Sequence, residues 1–466
     1  MSARPRGPKD ALLGLGLARE FRARPLQLAT HLARTYGDLV YFRMGPLRAY
    51  LVNEPELIHE VLSTRHKHFR RPEFVAGPLR AIDGNGLVLS EGDYWRRQRR
   101  LVQPAFATGR FEAYAQVTVE YTRRMLDGWQ SGQSIDAAEA MTRLTLEIIA
   151  KTLFGVEVEG QTERLGEAVR IVSETVVREA GYPWHLPDWL PLASKRRKRW
   201  AIRTLDDMAW RVLRQRRASG GDRGDLLSML LLAVDNDGDG RGMTDQQARD
   251  EAITLFNAGH DSTAAALAWT WYLVARHPEI EARLIDEADA VLSGRAATYG
   301  DVARLPYAEM VVKESMRLYP PTWMLFPREV VSSVELGGYT IPPRAWIYIF
   351  PWVTHRDARF FPDPDAFDPE RFAPTRIDEI PPFAYIPFGG GPRACIGAGF
   401  ATMEMVLILA TVLQRFRLRL AADQGVVEPE PLISIRPKGG LRVSLEHRRQ
   451  PAVADKDRSG GTSDPR

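Results

Sequence analysis

Cysteine is nearly absent: the 466-residue chain has one, Cys395. A single thiol excludes an internal disulfide framework and any zinc site built on several thiolates. Long apolar runs are missing as well. The longest uncharged stretch is Ser262–Ala275, 14 residues, and the apolar piece Ala11–Ala18 is eight residues long with two glycines. A membrane span needs about 20, so no transmembrane anchor is expected. Arg19 ends the N-terminal run and no small-residue cleavage site follows, which argues against a secretory signal. Charge of one sign scarcely dominates, at a net +4; nothing in the pattern suggests nucleic acid. A cytoplasmic, soluble protein is expected.

What is present suits a large buried core: 44% hydrophobic and 26% charged residues, ordinary for a globular chain. No repeat or long linker interrupts it. The reading is an N-terminal segment (1–24), one domain (25–445) and a polar tail (446–466) whose composition predicts disorder. Helical periodicity covers Phe111–Gln130, Met141–Phe154, Thr244–Ala275, Glu279–Leu292, Tyr307–Leu318 and Ala398–Phe416. Strand patterns are fewer: Leu39–Arg43 with Ala49–Asn53, Val334–Ile341 and Trp346–Phe350. The expected fold class is mainly α, with small β sheets to one side. Asp235–Gly240, DNDGDG, imitates the start of a calcium loop, but position twelve is Gln246 rather than a bidentate Glu. It reads as a turn, followed by a helix that Thr244 and Gln247 cap.

Cys395 sits in PFGGGPRACIGAGF, with three glycines before it and two after. No histidine carries a local signature marking it as a partner for a nucleophilic thiol. Glycines are needed where backbone turns tightly or approaches another group. A glycine loop opening into a helix can also aim N–H groups at a thiolate. A lone thiolate suits a metal that brings its other ligands, as haem does. Phe388-x-x-Gly391-x-Arg393-x-Cys395-x-Gly397 resembles the haem signature of the cytochrome P450 monooxygenases. The resemblance implies that Cys395 ligates the iron of haem b (iron protoporphyrin IX) and that Phe388 packs beside the sulfur. It further implies that Arg393 meets a propionate, and that Gly391 and Gly397 let backbone approach porphyrin and cysteine.

Companion motifs extend the resemblance over most of residues 25–445. Glu314-x-x-Arg317 precedes Tyr319-Pro320-Pro321, and Arg371 lies in Pro369-Glu370-Arg371-Phe372; in the family these form a structural ion network behind the haem loop. Trp95 and Arg99, one turn apart in WRRQRR, correspond to propionate holders. Arg328 is a further candidate, and Arg96, Arg97 and Arg100 are left to face an acidic electron donor.

Ala258-Gly259-His260-Asp261-Ser262-Thr263 lies mid-helix, where a glycine costs about 1 kcal/mol. The resemblance implies that Ala258 and Gly259 make room for dioxygen and that Asp261, Ser262 and Thr263 are the catalytic proton-relay candidates. The family usually has Thr where Ser262 stands. The substrate pocket is expected from Arg71–Leu89, Val169–Leu190, Phe256–Thr263, Thr322–Phe326 and Leu432–Ile435, with Gly181–Trp184 in a moving lid.

The resemblance thus implies a P450 fold with a long central helix over the haem. The implied activity is a haem-thiolate monooxygenase that hydroxylates or epoxidises a hydrophobic molecule. The chain ends 71 residues after Cys395, so electrons from NAD(P)H would arrive through a separate ferredoxin- or flavodoxin-type donor and its reductase. The alternatives are a haem-thiolate peroxygenase or isomerase, and a haem sensor without turnover.

Overall fold

The computed structural model describes residues 4–9, 14–157, 160–180, 187–235, 238 and 240–448. Its axis is the helix Asp245–Arg276. Thr244 starts it with a capping box: the hydroxyl accepts from Gln247 N at 3.2 Å, and Gln247 Oε1 accepts from Thr244 N at 2.9 Å. Most of its circumference is buried, including Trp269 and Trp271, because helices cover it on several sides. Its largest contact is with Ala137–Phe154. Ala193–Ser219 and Pro306–Leu318 also pack on it. Trp269 stacks on Tyr319 with ring centroids 3.8 Å apart, which fastens the central helix to the end of Pro306–Leu318.

The strands form several small sheets. The largest has five, in the order Leu39–Met44, Leu47–Val52, Trp346–Tyr348, Arg328–Val330, Phe69–Arg70. Its first two strands make a hairpin pairing Leu39 with Val52 and Met44 with Leu47. The predicted strand Val334–Ile341 is two strands, Val334–Leu336 and Tyr339–Ile341. Gly337 and Gly338, at φ 56° and 78°, make the two-residue turn between them.

Two expectations need correction, and some helices were not expected. The helix after Cys395 ends at Leu413, and Phe416–Leu420 is a strand. Phe416 and Leu418 are buried while their neighbours are not, the period of two that marks a half-buried strand. Strongly charged helices went unread. Ala193–Ser219 buries Ala201, Leu205, Met208, Ala209, Val212 and Leu213 on one face, a narrow apolar stripe amid many arginines. The boundaries at 25 and 445 are not edges of the packed body. Phe21 of the helix Leu15–Ala23 packs on Tyr348 at 5.7 Å, Tyr41 N donates to Arg6 O at 3.0 Å, and the strand Arg442–His447 pairs with Phe416–Leu420. Tail residues 449–466 and the lid residues Gly181–Trp184 lie outside the described residues. Among the described residues, no helix is long and apolar enough to cross a membrane.

Candidate active site

The Cys395 loop is shaped by what its glycines touch. Gly391 has φ +67°, and a Cβ there would lie 2.0 Å from the Leu62 carbonyl oxygen. A Cβ on Gly390 would lie 2.6 Å from the Phe383 ring. Gly391 admits only glycine, while a side chain at Gly390 would have to displace the Phe383 ring, so the loop presses against its neighbours. This corrects the expectation for Gly391: its close approach is to the Leu62 backbone, and it does not line the cavity. Cys395 N donates to Phe388 O at 2.9 Å, which folds Phe388 back beside the cysteine. Gly397 precedes the helix Ala398–Leu413 and turns its own N–H onto the sulfur.

Cys395 faces an internal cavity, so it is open to that space yet shielded from bulk water. Burial pushes its thiol pKa up, while the Gly397 N–H and the Arg99 charge pull it down; burial wins. The glycine loop therefore supplies one aimed donor rather than a full anion cradle.

The cavity, about 280 Å³, lies between the Cys395 loop and the central helix. Ala258, Gly259, Ser262 and Thr263 form its ceiling. Ser262 Oγ donates to Ala258 O at 2.9 Å and Thr263 Oγ1 to Gly259 O at 2.9 Å, the back-bonding that loosens a helix locally. The space beside Gly259 is taken up in part by Ile149: a Cβ on Gly259 would lie 2.7 Å from Ile149 Cδ1. Asp261 does not face the cavity. It is buried against the strand Ile435–Pro437, ion-paired with Arg436 and hydrogen-bonded by Ser434. Successive helix residues point about 100° apart, so Asp261 and Ser262 lie on different sides, and the expected relay is not assembled. Burial would raise the Asp261 pKa, but Arg436, His260 and the hydrogen bonds outweigh it and hold it low.

The side walls are apolar: Leu87, Val88, Ile149, Leu153, Leu255, Leu325 and Phe326. Ile149 and Leu153 come from Ala137–Phe154, a helix outside the segments expected to form the pocket. Among the described residues, those of Val169–Leu190 and Leu432–Ile435 are not on the lining. Trp323 turns away too, donating from Nε1 to Leu432 O at 2.8 Å, and Met324 packs into the core.

At one edge the cavity gathers Trp95, Arg71, Arg99, Arg328 and Arg393. Arg99 Nη1 donates to Ala394 O at 3.0 Å and Arg328 Nη1 to Phe326 O at 2.8 Å. Arg393 lies over the Trp95 ring at 4.1 Å, so Trp95 supports Arg393. One carboxylate, Glu91, answers these four guanidiniums, through Arg71 and Arg393. Burial, then the neighbouring arginines, lower Arg328 and Arg393 to about 9. Buried Arg71 Nε and Arg393 Nη1 have no partner. Buried donors are rarely orphaned, and a low-dielectric cluster of cations calls for anions. Two carboxylates at this edge, with a planar macrocycle reaching Cys395, are what haem brings; the residues fit it. Arg71 was missed as a propionate holder because nothing in Arg70-Arg71-Pro72 distinguishes it from a surface pair.

Behind the loop, Glu314 meets two arginines. Arg317 Nε and Nη2 bind Glu314 at 2.7 and 2.8 Å, and both side chains are fully buried. Arg371 Nε lies 3.4 Å from Glu314. Arg317 also donates to the carbonyls of His355, Pro364 and Ala366, so it pins the meandering segment that leads to the cysteine. Of the arginines left for a donor, Arg97 and Arg100 are committed to Asp235, the first residue of the calcium-like turn. Arg96 pairs with Asp93 and is half exposed.

Bound at Cys395, haem iron would supply the oxygen activation that side chains lack. Residues 5–442 match the profile of the family described as Cytochrome P450. Cyclooctatin synthase of Streptomyces melanosporofaciens is 40% identical, the match covering 91% of this chain and 92% of that protein. Cyclooctat-9-en-7-ol 5-monooxygenase of the same organism is 38% identical over 85% of each. Pentalenene oxygenase of Streptomyces avermitilis is 35% identical over 93% of this chain and 95% of its own. Matched along nearly its whole length, the chain belongs to the cytochrome P450 family, as a haem-thiolate monooxygenase of hydrophobic substrates.

Proposed function

We propose that the substrate is a fused-ring terpenoid, hydroxylated or epoxidised at a carbon held between Ser262 and Cys395. The apolar cavity carries the reading. Leu87, Val88, Ile149, Leu153, Leu325 and Phe326 leave few polar anchors except at the arginine edge, so shape and apolar contact select the ligand. The names of the relatives, cyclooctat-9-en-7-ol 5-monooxygenase and pentalenene oxygenase, point to the same ligand class. Ser262 and Thr263 are the hydroxyls available on the oxygen side. Asp261 reaches that side only if it leaves Arg436. Electrons come from NAD(P)H through a separate ferredoxin- or flavodoxin-type protein, which meets the face near Arg96.

The test is a ligand screen on the ferric protein. Polycyclic terpene hydrocarbons and alcohols should shift the Soret band of the haem-loaded protein, and a generic ferredoxin and reductase should then give mono-oxygenated product. Fatty acids or linear polyketides binding tighter than every terpenoid would overturn the substrate class. Product formed with peroxide but not with donor and dioxygen would overturn the electron route.

A further inference from the structure

Among the described residues, Glu91 is the one carboxylate paired with the arginines at the cavity edge, and its geometry is that of a clamp. Oε1 accepts from Arg71 N and Nη1, both at 3.3 Å. Oε2 accepts from Arg393 Nη2 at 2.8 Å, and the same Nη2 also donates to Ser90 O at 2.7 Å. The two arginines come from distant parts of the chain: Arg71 follows the edge strand Phe69–Arg70, and Arg393 belongs to the cysteine loop. Each is also braced by a ring, Arg71 by Phe326 at 5.3 Å and Arg393 by Trp95 at 4.1 Å. With one end of each guanidinium held by Glu91, Arg71 Nε and Arg393 Nη1 remain as buried N–H groups without a partner. Gly92, at φ +62°, gives the sharp turn that brings Glu91 here just ahead of the helix Gly92–Val102.

We propose that Glu91 is a positioning residue for haem: it orients Arg71 and Arg393 toward the propionates and offsets the surplus positive charge at that edge. Four guanidiniums face the cavity. Two propionates and Glu91 leave one unbalanced; without Glu91 two are unbalanced. Added positive charge stabilises the reduced, more negative form of the cofactor, so the clamp holds the reduction potential down. It thereby sets how readily the first electron is accepted. Because Glu91 is 40% exposed, its charge effect weakens with salt.

Two variants separate charge from reach, and neither readout involves substrate or turnover. Glu91→Gln keeps the length, removes the charge and turns an amide donor toward one arginine. Glu91→Asp keeps the charge but is too short to bridge both. Haem transfer to excess apomyoglobin should be several-fold faster for both variants. The ferric/ferrous potential, measured by dithionite titration at low salt, should move positive for Glu91→Gln and stay near wild type for Glu91→Asp. The positive shift should shrink at high salt. Adding Arg71→Gln to Glu91→Gln should accelerate haem loss less than Arg71→Gln does alone, since the clamp is already open. An unchanged potential in Glu91→Gln, the same shift in both variants, or haem release at the wild-type rate in both overturns the proposal.

Discussion

Replacing Glu251 by Gln should make the protein more stable at alkaline pH, although it removes a carboxylate that accepts a backbone hydrogen bond. Glu251 is buried on the central helix. Its Oε2 accepts from Leu87 N at 3.0 Å, and Oε1 has no partner. Burial pushes its pKa up to about 8, the Leu87 N–H pulls it down, and Asp250 raises it again. Other ionisable groups stand around it. Asp83, on the helix before the Leu87 loop, is raised to about 6; Tyr94 approaches from the arginine helix. Arg249 is spent on Asp206 and Asp250. The native chain keeps the Glu251 proton while the unfolded chain releases it near pH 4.3. Stability from this residue therefore falls as pH rises from about 4.3 to 8 and is level above. Each pH unit of that gap is worth about 1.4 kcal/mol, a ceiling of roughly 5 kcal/mol; loop relaxation should leave about 2–4. The variant still offers Leu87 an acceptor and cannot ionise. Unfolding entropy of about 2.1 cal/mol/K per residue gives roughly 1 kcal/mol per degree for a chain this long. Differential scanning calorimetry should then show Glu251→Gln melting about 2–4 °C above wild type at pH 8.5, with the gap closing toward pH 5. A variant no more stable at pH 8.5, or a gap independent of pH, would refute the reasoning.

Glu314→Gln leaves Arg317 buried without its counter-charge, and stability should drop by about 3–5 kcal/mol, read as loss of haem-loaded protein on mild heating. Gly391→Ala drives a Cβ to 2.0 Å from Leu62 O and should abolish the folded haem loop. Gly397→Ala, whose Cβ would meet Phe106 at 3.6 Å, should still give the reduced carbon monoxide spectrum of a thiolate; equal haem content in the two would refute the glycine argument. Ser262→Thr adds a methyl that restricts the hydroxyl rotamer and should lower the peroxide released per product; an unchanged ratio sinks that idea.

The chemistry-bearing residues were legible where chemistry needs a local pattern. Cys395 and its loop, the Glu314–Arg317 pair and the Ser262 notch are written within a few residues of one another, because a tight turn or one helix turn must present them. The capping box at Thr244 and Gln247 was readable for the same reason. Residues that act across the fold were not. Arg71 looks like any surface arginine beside a proline, Ile149 and Leu153 look like core, and Arg436 lies in a short strand 175 residues beyond the Asp261 it neutralises. Phe416, the first residue of the Phe416–Leu420 strand, reads as the end of the preceding helix because an apolar start hides a change of period.

The sequence by itself determined the helical class and, through motif resemblance, the family, and it singled out Cys395 as the candidate iron ligand, since these rest on local patterns along the chain. Only the tertiary structure decided which way those residues face. It turned Asp261 to Arg436 and Ser262 to the cavity, because neighbours on a helix diverge by about 100° and burial lets a carboxylate point only where a cation waits. It also set Glu91 between Arg71 and Arg393, a charge balance that only the meeting of distant segments creates.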